Sequence, residues 1–385
     1  MLTNQKRPLE DDDIGENGPD PLLSLLHISP SDSTSTPTFY QTHFQRIADS
    51  LLNDFVLSIK TPTENIYYRL VEIEFYLRDN IHNHDDPFAH GQPMQSTCGQ
   101  WYFHRRGNSY VGGSFKGFDL TFGRTYPPNV PSPYYNNISP PATALFRGGI
   151  LIRSISRVQS FSTAHTLSTS SASLVEGPCK CVETIMKHLD CKTMSVKDLV
   201  DTHLNSNISA IPTDNGLLTL VKIPPISPET KKPRLTTNPT TSSPPRSPIY
   251  STPRIGLYLR PSHENLSHRI TYVTKPYRFL SLPSKILKTR GVLIAGLYQM
   301  LLSTSLPRKS DSESDESVLV RLTGMQKALV GKCLVAYKEG KEDGDPVKFV
   351  GDKLGSAEVV CKFVGAVDGW IEKRKEEEGI GEEVE

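Results

Sequence analysis

The stretch YYRLVEIEFYLRD, residues 67–79, is predicted to form a β-strand that carries two glutamates at its centre. Its β-branched, aromatic and leucine residues are typical of strands. Successive side chains of a strand point to opposite faces. One face is wholly apolar and is assigned to the core: Val71, Ile73, Phe75 and Leu77. The other face carries both carboxylates: Leu70, Glu72, Glu74 and Tyr76.

The face with the glutamates has two readings. In the simpler one it is the solvent-exposed face of an antiparallel strand. In the other it is covered by the polar and aromatic side chains of the next forty residues: His82, His84, Asp85, Asp86, His90, Trp101, Tyr102, His104, Tyr110 and Lys116. A carboxylate covered in this way has a raised pKa or a basic partner, and either suits a general base.

Two segments contain residue types that bind metals. HNHDDPFAH, residues 82–90, has histidines and aspartates but no spacing that identifies a metal site. Cys179 and Cys181 could form half of a zinc site. Ordinary side chains and ordinary thiols are the simpler explanation in both cases. We therefore expect neither a metal nor another cofactor.

The charge of the chain is uneven. The 385 residues have a net charge of +1, which by itself points to no polyanionic partner. From Trp101 to Ser160, however, there are seven basic residues and one acidic residue, Asp119, interleaved with aromatic residues. This pattern is typical of a surface that holds phosphates and stacks bases, although a generic basic loop region explains it equally well.

The length fits one large or two ordinary domains. With 36% hydrophobic residues and 30 prolines, a folded core is expected between disordered stretches. We predict disorder at 1–37, a folded domain at 38–285 with disordered insertions near 156–173 and 224–253, and a separate helical extension at 286–385 with an acidic tail. Helices are predicted in FQRIADSLLNDF, GPCKCVETIMKHL and SVKDLVDTHL. A strand pair is predicted in RIGLYLR, residues 254–260, and RITYVTKPYRFLSL, residues 269–282.

The sequence contains only weak indications of the cellular compartment. The N-terminus is acidic, unlike a secretory signal, and the longest apolar run, GVLIAGLYQMLL at 291–302, is short for a membrane span and suits a core helix. Six thinly spread cysteines are typical of reduced thiols in the cytosol or nucleus. KKPR, residues 231–234, is either a weak nuclear signal or a solvated basic patch. We expect a protein of the nucleus or cytoplasm.

The order of these pieces resembles the alkyladenine (3-methyladenine) DNA glycosylase family. RLVEIEFY, residues 69–76, is similar to that family's R-I-V-E-T-E-A-Y strand, and GNSYVGGSFKG to its G-T-L-Y-V-Y hairpin. LIRS at 151–154 and GPCKCVETI at 177–185 resemble its LLRA strand and GPSKLCQAL helix. RIGL and PYRFL resemble its RVGV and PLRFY strands. The resemblance spans about residues 40–285 in unchanged order, and the specificity lies in the ordered series rather than in one motif.

The resemblance implies a site. Glu74 takes the position of the general base that activates water for attack on the sugar C1′, and Arg153 that of an arginine that helps to hold this water. Tyr76 corresponds to a residue that stacks on the flipped base, and His90 to a loop histidine that contacts the base or its sugar phosphate. Glu72, two residues before Glu74 on the same face, is interpreted as a structural ion-pair partner. Arg105, Arg106, Phe115 and Lys116 fall in the region expected to contact DNA. Extrusion of the base is required because its glycosidic bond is inaccessible within a duplex.

The sequence also departs from the family. The tyrosine that the family wedges into the base stack is replaced by Lys116, or by Phe115 if the hairpin is one residue longer. The second stacking tyrosine falls on Gly112 or Gly113, and the asparagine that sets base selectivity falls near Gly123. These changes indicate either another substrate or the loss of duplex binding.

The resemblance implies an α+β fold, a single curved antiparallel sheet with flanking helices like the C-terminal domain of formyltransferases. The expected function is removal of an alkylated or deaminated purine from duplex or single-stranded DNA by a monomer. The alternatives are a nucleic-acid-binding protein without catalysis and an N-glycoside hydrolase of a small nucleoside-like molecule. The C-terminal extension has no counterpart in the family and is interpreted as a partner-binding or packing module.

Overall fold

A computed structural model of the chain describes residues 20–28, 37–80, 82–123, 146–159, 174–224, 246–262, 264–303, 305–310 and 312–378. The α-helices are α1 (Pro21–Leu26), α2 (Pro37–Asp54), α3 (Pro178–His188), α4 (Val196–Asp198), α5 (Leu266–Val273), α6 (Arg290–Leu302), α7 (Asp315–Thr323), α8 (Lys327–Asp343) and α9 (Ala357–Glu377). A π-helix, Leu199–His203, continues α4.

The strands are β1 (Phe55–Lys60), β2 (Asn65–Asp79), β3 (His84–Asp85), β4 (Trp101–Phe103), β5 (Arg105–Arg106), β6 (Ser109–Tyr110), β7 (Phe118–Phe122), β8 (Phe146–Arg157), β9 (Leu174–Glu176), β10 (Leu218–Lys222), β11 (Tyr250–Thr252) and β12 (Arg278–Leu280). Ten form one antiparallel sheet with the main order β10-β1-β2-β8-β7-β4, in which β12 also pairs with β2. β5 and β6 form a separate hairpin. The expected α+β class with a large antiparallel sheet is confirmed.

One face of the sheet is covered by α2, as the helical spacing of its apolar residues predicts. Phe44, Ile47 and Leu51 are fully buried against the face of β2 that carries Ile73 and Phe75. The rings of Phe44 and Phe75 stack with centroids 4.5 Å apart. The predicted strand therefore lies in the middle of the core.

A β-bulge in β2 corrects the predicted assignment of its side chains to faces. Leu70 pairs with Ile155 and Glu72 with Ser154, so Val71 is an extra residue in the ladder. As a result Leu70 lies in the same apolar cluster as Ile73, whereas Val71 lies in the cluster on the opposite side. A strict two-residue alternation cannot anticipate an inserted residue. Glu72 and Glu74 nevertheless share one face, as predicted.

The C-terminal helices do not form the separate module that the sequence suggested. Leu293 and Leu297 of α6 pack in one buried cluster with Val71 of β2 and Leu280 of β12. Helices α8 and α9 complete this second core. The predicted core helix at 291–302 is thus found, and its partner is the sheet. None of the helices in the described ranges has the length and apolar character needed to cross a membrane.

Other sequence predictions need correction at their boundaries. Within the segment predicted to be disordered, residues 20–28 are ordered, because Leu22, Leu23 and Leu26 of α1 are buried in the core. Ser156 and Arg157 belong to β8, and 246–252 include β11, so these parts of the predicted insertions are also ordered. The other residues of both insertions, apart from 158–159, 224 and 253, lie outside the described residues, as do residues 379–385 of the acidic tail.

Of the strand pair predicted near the end of the domain, one strand lies within its predicted segment, 269–282, and the other lies elsewhere. β11 (Tyr250–Thr252) pairs with β12 (Arg278–Leu280), whereas RIGLYLR contains no strand and RITYV forms most of α5. Gly256 adopts a φ of +77°, which strands do not accommodate. Asn265 caps α5 by accepting a hydrogen bond from the His268 backbone N–H at 3.2 Å. The apolar content of both segments is therefore used for packing outside the sheet.

Candidate functional site

A row of side chains crosses the sheet on the face opposite α2. Residues directly opposite each other in an antiparallel ladder project to the same face. The register places six residues of six strands in this row: Tyr102, Asp119, Leu151, Glu74, Arg278 and Thr252. Glu74 is at its centre. Of the two readings left open by the sequence, the covered face is correct, since Glu72 and Glu74 are 1% and 0% exposed.

Three donors hold the Glu74 carboxylate. The backbone N–H of Ile255 donates to Oε1 at 2.7 Å, and the Tyr76 hydroxyl donates to Oε2 at 2.8 Å. Arg153 Nη1 lies 3.3 Å from Oε2. A carboxylate offers about four acceptor positions, so about one is left for a further donor such as water.

Glu72 has a different environment, which is that of a structural ion pair. Its Oε1 accepts from Arg278 Nε at 2.7 Å, and its Oε2 accepts from the Ser154 hydroxyl. Burial alone would raise the pKa of Glu72, but the Arg278 and Arg153 guanidiniums and the Ser154 hydrogen bond hold it below the ordinary value. Arg278 is itself completely buried. The assignment of Glu72 as an ion-pair partner agrees with this geometry.

Arg153 bridges the two glutamates. Its Nε is 3.3 Å from Glu72 Oε1, in addition to the contact with Glu74. The ladder between β2 and β8 skips Arg153 at the bulge, and its carbonyl accepts instead from the Gly177 N–H at 2.8 Å. Gly177 has a φ of +113°, which only glycine adopts readily, and it is the cap residue directly before α3. The Arg153 side chain remains 14% exposed, so solvent reaches the site here.

Tyr76 lies beside Glu74 and against a buried guanidinium. Arg254 stands over its ring, 4.5 Å from the centroid, and is held by a two-pronged ion pair with Asp86. Burial, and then the negative charge of Glu74, raise the pKa of Tyr76 well above its ordinary value. Its hydroxyl therefore stays protonated and continues to donate to Glu74. The expected proximity of Tyr76 to Glu74 is present.

A second polar group lies two strands away on the same face, roughly 10 Å from Glu74 by interstrand spacing. Asp119 accepts from His104 at 2.8 Å and from Gln95 at 3.1 Å. The ring of His90 lies 4.8 Å from that of His104. Burial alone would lower the pKa of His104, but the negative charge of Asp119 raises it above the ordinary value. His90 thus belongs to this group rather than to the immediate surroundings of Glu74.

The residues expected to contact DNA differ in accessibility. Phe115 ends a single 3-10 turn, Gly113–Phe115, and is 74% exposed. Lys116 is instead buried and pairs with Glu183 at 2.9 Å, so it does not project like a wedge. Arg106 is exposed on the β5–β6 hairpin, and Arg105 covers the ring of Tyr110, 4.1 Å from its centroid.

In the two segments with metal-binding residue types, 82–90 and 179–181, the side chains do not converge on a common point. Cys181 is buried and bonds the Arg153 carbonyl at 3.5 Å, whereas Cys179 bonds the Gly113 carbonyl at 3.2 Å. His84 is buried between the Leu77 carbonyl and the Tyr277 hydroxyl, and His82 contacts Asp79 at 2.9 Å. Side chains of both segments are used for separate internal contacts.

Several residues of the site were not singled out from the sequence. Ile255 contributes only a backbone N–H, which no side-chain pattern reports. Arg254 and Arg278 lie in the two segments predicted to pair as strands, and a strand pattern does not indicate that both guanidiniums are buried. Of the residues that the sequence did not identify, Asp119 alone has a feature that marks it, because it is the single acidic residue in the strongly basic stretch 101–160.

A cavity of about 650 Å³ lies between the Ile255 segment and the C-terminal helices. Its walls include Arg254, Ile255 and Gly256 together with the first residues of α6 and α9. The segment that donates to Glu74 is therefore also a contact surface of the C-terminal part of the chain.

Comparison with known proteins adds one relative. An uncharacterized protein of Acanthamoeba polyphaga mimivirus is 34% identical over 151 residues, which is 39% of this chain and 59% of the viral protein. The match therefore spans less than two thirds of that relative. No family model matches the chain.

Proposed function

We propose that the protein is a hydrolase that removes a damaged purine from DNA by cleaving its N-glycosidic bond. The observation that carries this proposal is the environment of Glu74. A buried carboxylate is held by a backbone amide, a phenol and a guanidinium, and it keeps about one acceptor position free. This supports the role that the resemblance to the alkyladenine DNA glycosylases implies. With that resemblance we also propose the fold of the formyltransferase C-terminal domain.

The chemistry assigns a task to each of the three side chains. Glu74 accepts a proton from a water molecule as the water attacks the sugar C1′, a step in which a positioned base contributes about 10²–10⁴-fold in rate. The positive charge of Arg153 compensates the negative charges of both glutamates. The exposed part of its side chain contacts solvent. Tyr76 fixes Oε2 through its hydroxyl. Its ring, held under the buried Arg254 guanidinium, would lie beside the flipped base.

The second polar group would face the other side of the base. His104 and Asp119 form a buried hydrogen-bonded pair, and His90 lies against them at the surface. Imidazole and carboxylate groups at this position can donate to and accept from a purine edge. This arrangement replaces the selectivity residues of the family, which are absent from the sequence, and points to another base preference.

Contacts to DNA would come from the elements around Arg153. Phe115 is the better candidate for the wedge, because it is exposed while Lys116 is paired internally. The turn that carries Phe115 lies at the N-terminus of α3, since Cys179 bonds the Gly113 carbonyl. That helix end and the exposed Lys180 and Arg106 suit phosphate groups. Action on DNA would place the protein in base excision repair, with the nucleus or cytoplasm as its compartment.

The test is base release by the full-length protein and its Glu74→Gln variant. Duplex and single-stranded oligonucleotides that carry 1,N6-ethenoadenine, hypoxanthine or a methylated purine are incubated with each, and abasic sites are cleaved with alkali. We expect strand scission by the wild-type protein alone. Absence of scission on every substrate would overturn the proposal.

Phe115→Ala separates DNA contact from chemistry. We expect weaker binding and slower release on duplex DNA, with an unchanged melting temperature, because the side chain is exposed. Val335→Ala is the matched control, since Val335 of α8 is another exposed apolar side chain, at 58%. An equal loss in both variants would remove Phe115 from the DNA interface.

A protein that binds nucleic acid without catalysis is the second candidate. Complete burial of Glu74 and the absence of the family's wedge tyrosine favour it. Salt-dependent DNA binding without base release in either protein would support this reading. Release from free nucleosides but not from DNA would instead support a nucleoside hydrolase.

A further inference from the structure

Three side chains with metal-binding atoms meet outside the site described above. Cys191 follows α3, Asp198 ends α4, and His203 ends the π-helix. Cys191 Sγ lies 3.4 Å from Asp198 Oδ2, and His203 Nε2 lies 3.6 Å from the same oxygen. All three ligand atoms are within 4.8 Å of one another.

The π-helix explains how His203 reaches Asp198. In an α-helix, residues five apart point in directions about 140° apart. The π-helix Leu199–His203 closes with a hydrogen bond from the Leu204 N–H to the Leu199 carbonyl, 2.8 Å long. This wider turn brings His203 over Asp198. Such turns are rare and are found frequently at functional sites.

Two of the three separations between ligand atoms suit a tetrahedral ion, and the third, between Cys191 Sγ and the His203 nitrogen, is within 4.8 Å. Zinc bonds of about 2.3 Å to sulfur and about 2.0 Å to nitrogen or oxygen imply edges of roughly 3.5 Å for S···O and 3.3 Å for N···O. The observed 3.4 and 3.6 Å are close to these values. A thiolate, a carboxylate and a neutral imidazole would also balance the charge of a divalent ion.

We propose that Cys191, Asp198 and His203 bind Zn²⁺, with water as the fourth ligand. Asp198 and His203 are about one-quarter exposed, at 27% and 25% of their side chains, which leaves a path for the ion and room for the water. The Thr193 hydroxyl donates to Asp198 Oδ2 at 2.7 Å and orients the carboxylate from outside the ligand set. The inference is independent of the proposed glycosylase activity.

The ion would tie the loop after α3 to the helix that follows it. Beyond this helix the chain bonds to the sheet edge, where the Trp101 N–H donates to the Ile208 carbonyl at 2.7 Å. Leu199 and Leu204 anchor the same segment in the core. The site would therefore stabilise the segment that supports β4, the strand that carries Tyr102 of the polar row.

Zinc binding is measured on the full-length chain after removal of metals by a chelator. Zn²⁺ is titrated against a chromophoric competitor, and Co²⁺ is used as a spectroscopic probe. We expect one equivalent of tightly bound Zn²⁺ and a thiolate-to-cobalt charge-transfer band. In Cys191→Ser and His203→Gln, affinity should fall by more than the roughly 10–100-fold that loss of an outer-shell partner costs, and the cobalt band should disappear in Cys191→Ser.

Two control variants alter a cysteine and a carboxylate that lie outside the proposed zinc site. Cys179→Ser alters a partly exposed thiol outside the site, and Asp201→Asn alters an exposed carboxylate of the same helix. Both should bind zinc like the wild type. Since Cys191 is buried, His203→Gln decides the matter if Cys191→Ser fails to fold. Affinity unchanged in His203→Gln, or a wild-type chain without the cobalt band, would overturn the proposal.

Discussion

Glu72 and Glu74 are two residues apart on one face, yet their surroundings give them different tasks. Glu72 neutralises Arg278, which is completely buried and has no other carboxylate partner among the described residues. Glu74 contacts Arg153, which keeps Glu72 as a second partner. One carboxylate therefore stabilises the core, and the other is available for chemistry.

This difference predicts that the same substitution, glutamate to glutamine, lowers the free energy of unfolding by different amounts at the two positions. Glu72→Gln leaves the Arg278 charge buried and uncompensated, so the free energy of unfolding should fall by about 3–5 kcal/mol. Glu74→Gln leaves Arg153 paired, and the loss should be roughly 1–3 kcal/mol. Urea denaturation of both variants measures this. Equal losses, or a larger loss for Glu74→Gln, would contradict the division of roles.

His84 predicts a pH dependence of stability. Burial first, and the Lys275 ammonium second, lower the pKa of His84 to about 4, against 6.5 in the unfolded chain. Its Nδ1 faces the Leu77 carbonyl and therefore carries the proton, while Nε2 accepts from Tyr277. The unfolded chain protonates at higher pH than the folded one. Stability is then complete above pH 6.5 and falls by about 3 kcal/mol as the pH drops towards 4.

Unfolding curves between pH 7.5 and 4 check this expectation. In His84→Gln, whose amide can keep both hydrogen bonds, the part of the pH dependence between about 6.5 and 4 should disappear. His268→Gln, at a less buried histidine, should retain the wild-type slope. A wild-type slope in His84→Gln would refute the assignment.

At this scale the sequence predicted the site in part. Glu74, Tyr76 and Arg153 come together as expected, since each stands in a strand whose pattern could be read. Lys116 did not behave as expected, because its partner Glu183 lies 67 positions away on another element. The roles of Ile255 and Gln95 depend on tertiary approach and have no local signature.

At the scale of elements, the pattern of apolar residues located α2 by its periodicity, α6 by its unbroken apolar run and most of β2 by its alternation, and Pro178 indicated the start of α3. It failed where one residue changes the geometry, as at Val71 in the bulge, and where a cap outweighs strand propensity, as at Asn265 before α5. It also failed for α1, whose six residues are too few for a periodic pattern.

Contact between α8 and α9 yields a prediction about glycine. A Cβ at Gly365 would overlap the Tyr337 carbonyl oxygen, and one at Gly340 would overlap that of Lys362. Backbone atoms cannot move aside as a flexible side chain can. Gly365→Ala should therefore separate the helices and destabilise the protein by about 1–3 kcal/mol.

Gly331→Ala on α8 is the matched control. Its Cβ would meet only Glu316 Oε1, 2.7 Å away at the end of a flexible side chain. Since alanine is favoured over glycine within helices by up to about 1 kcal/mol, this variant should be unchanged or more stable. Thermal unfolding measures both. A stable Gly365→Ala would show that the two helices pack less closely than described.

At the scale of the whole molecule, the sheet is shared between two cores. One lies under α2, and the other joins Val71 and Leu280 to the C-terminal helices. A resemblance that ends near residue 285 could not predict the second core. The C-terminal helices and Ile255, whose backbone N–H donates to Glu74, line the same cavity.

Truncation tests this dependence. A chain of residues 1–285 exposes the apolar side chains that α6 covers, and we expect it to aggregate or to unfold at a much lower temperature than the full chain. A chain of residues 1–378 keeps all four helices and should match the full protein. Equal solubility and melting temperature for residues 1–285 would show that the C-terminal helices are an independent module.

The central claim is that Glu74 activates water at a glycosidic bond. Its most direct test is the rate of free-base release under single-turnover conditions, measured by mass spectrometry for the wild type and Glu74→Gln at equal DNA occupancy. We predict release by the wild type and a rate lower by about 10²–10⁴-fold in the variant, with unchanged DNA affinity. Equal release rates for the two proteins, or no release by the wild type, would contradict the claim.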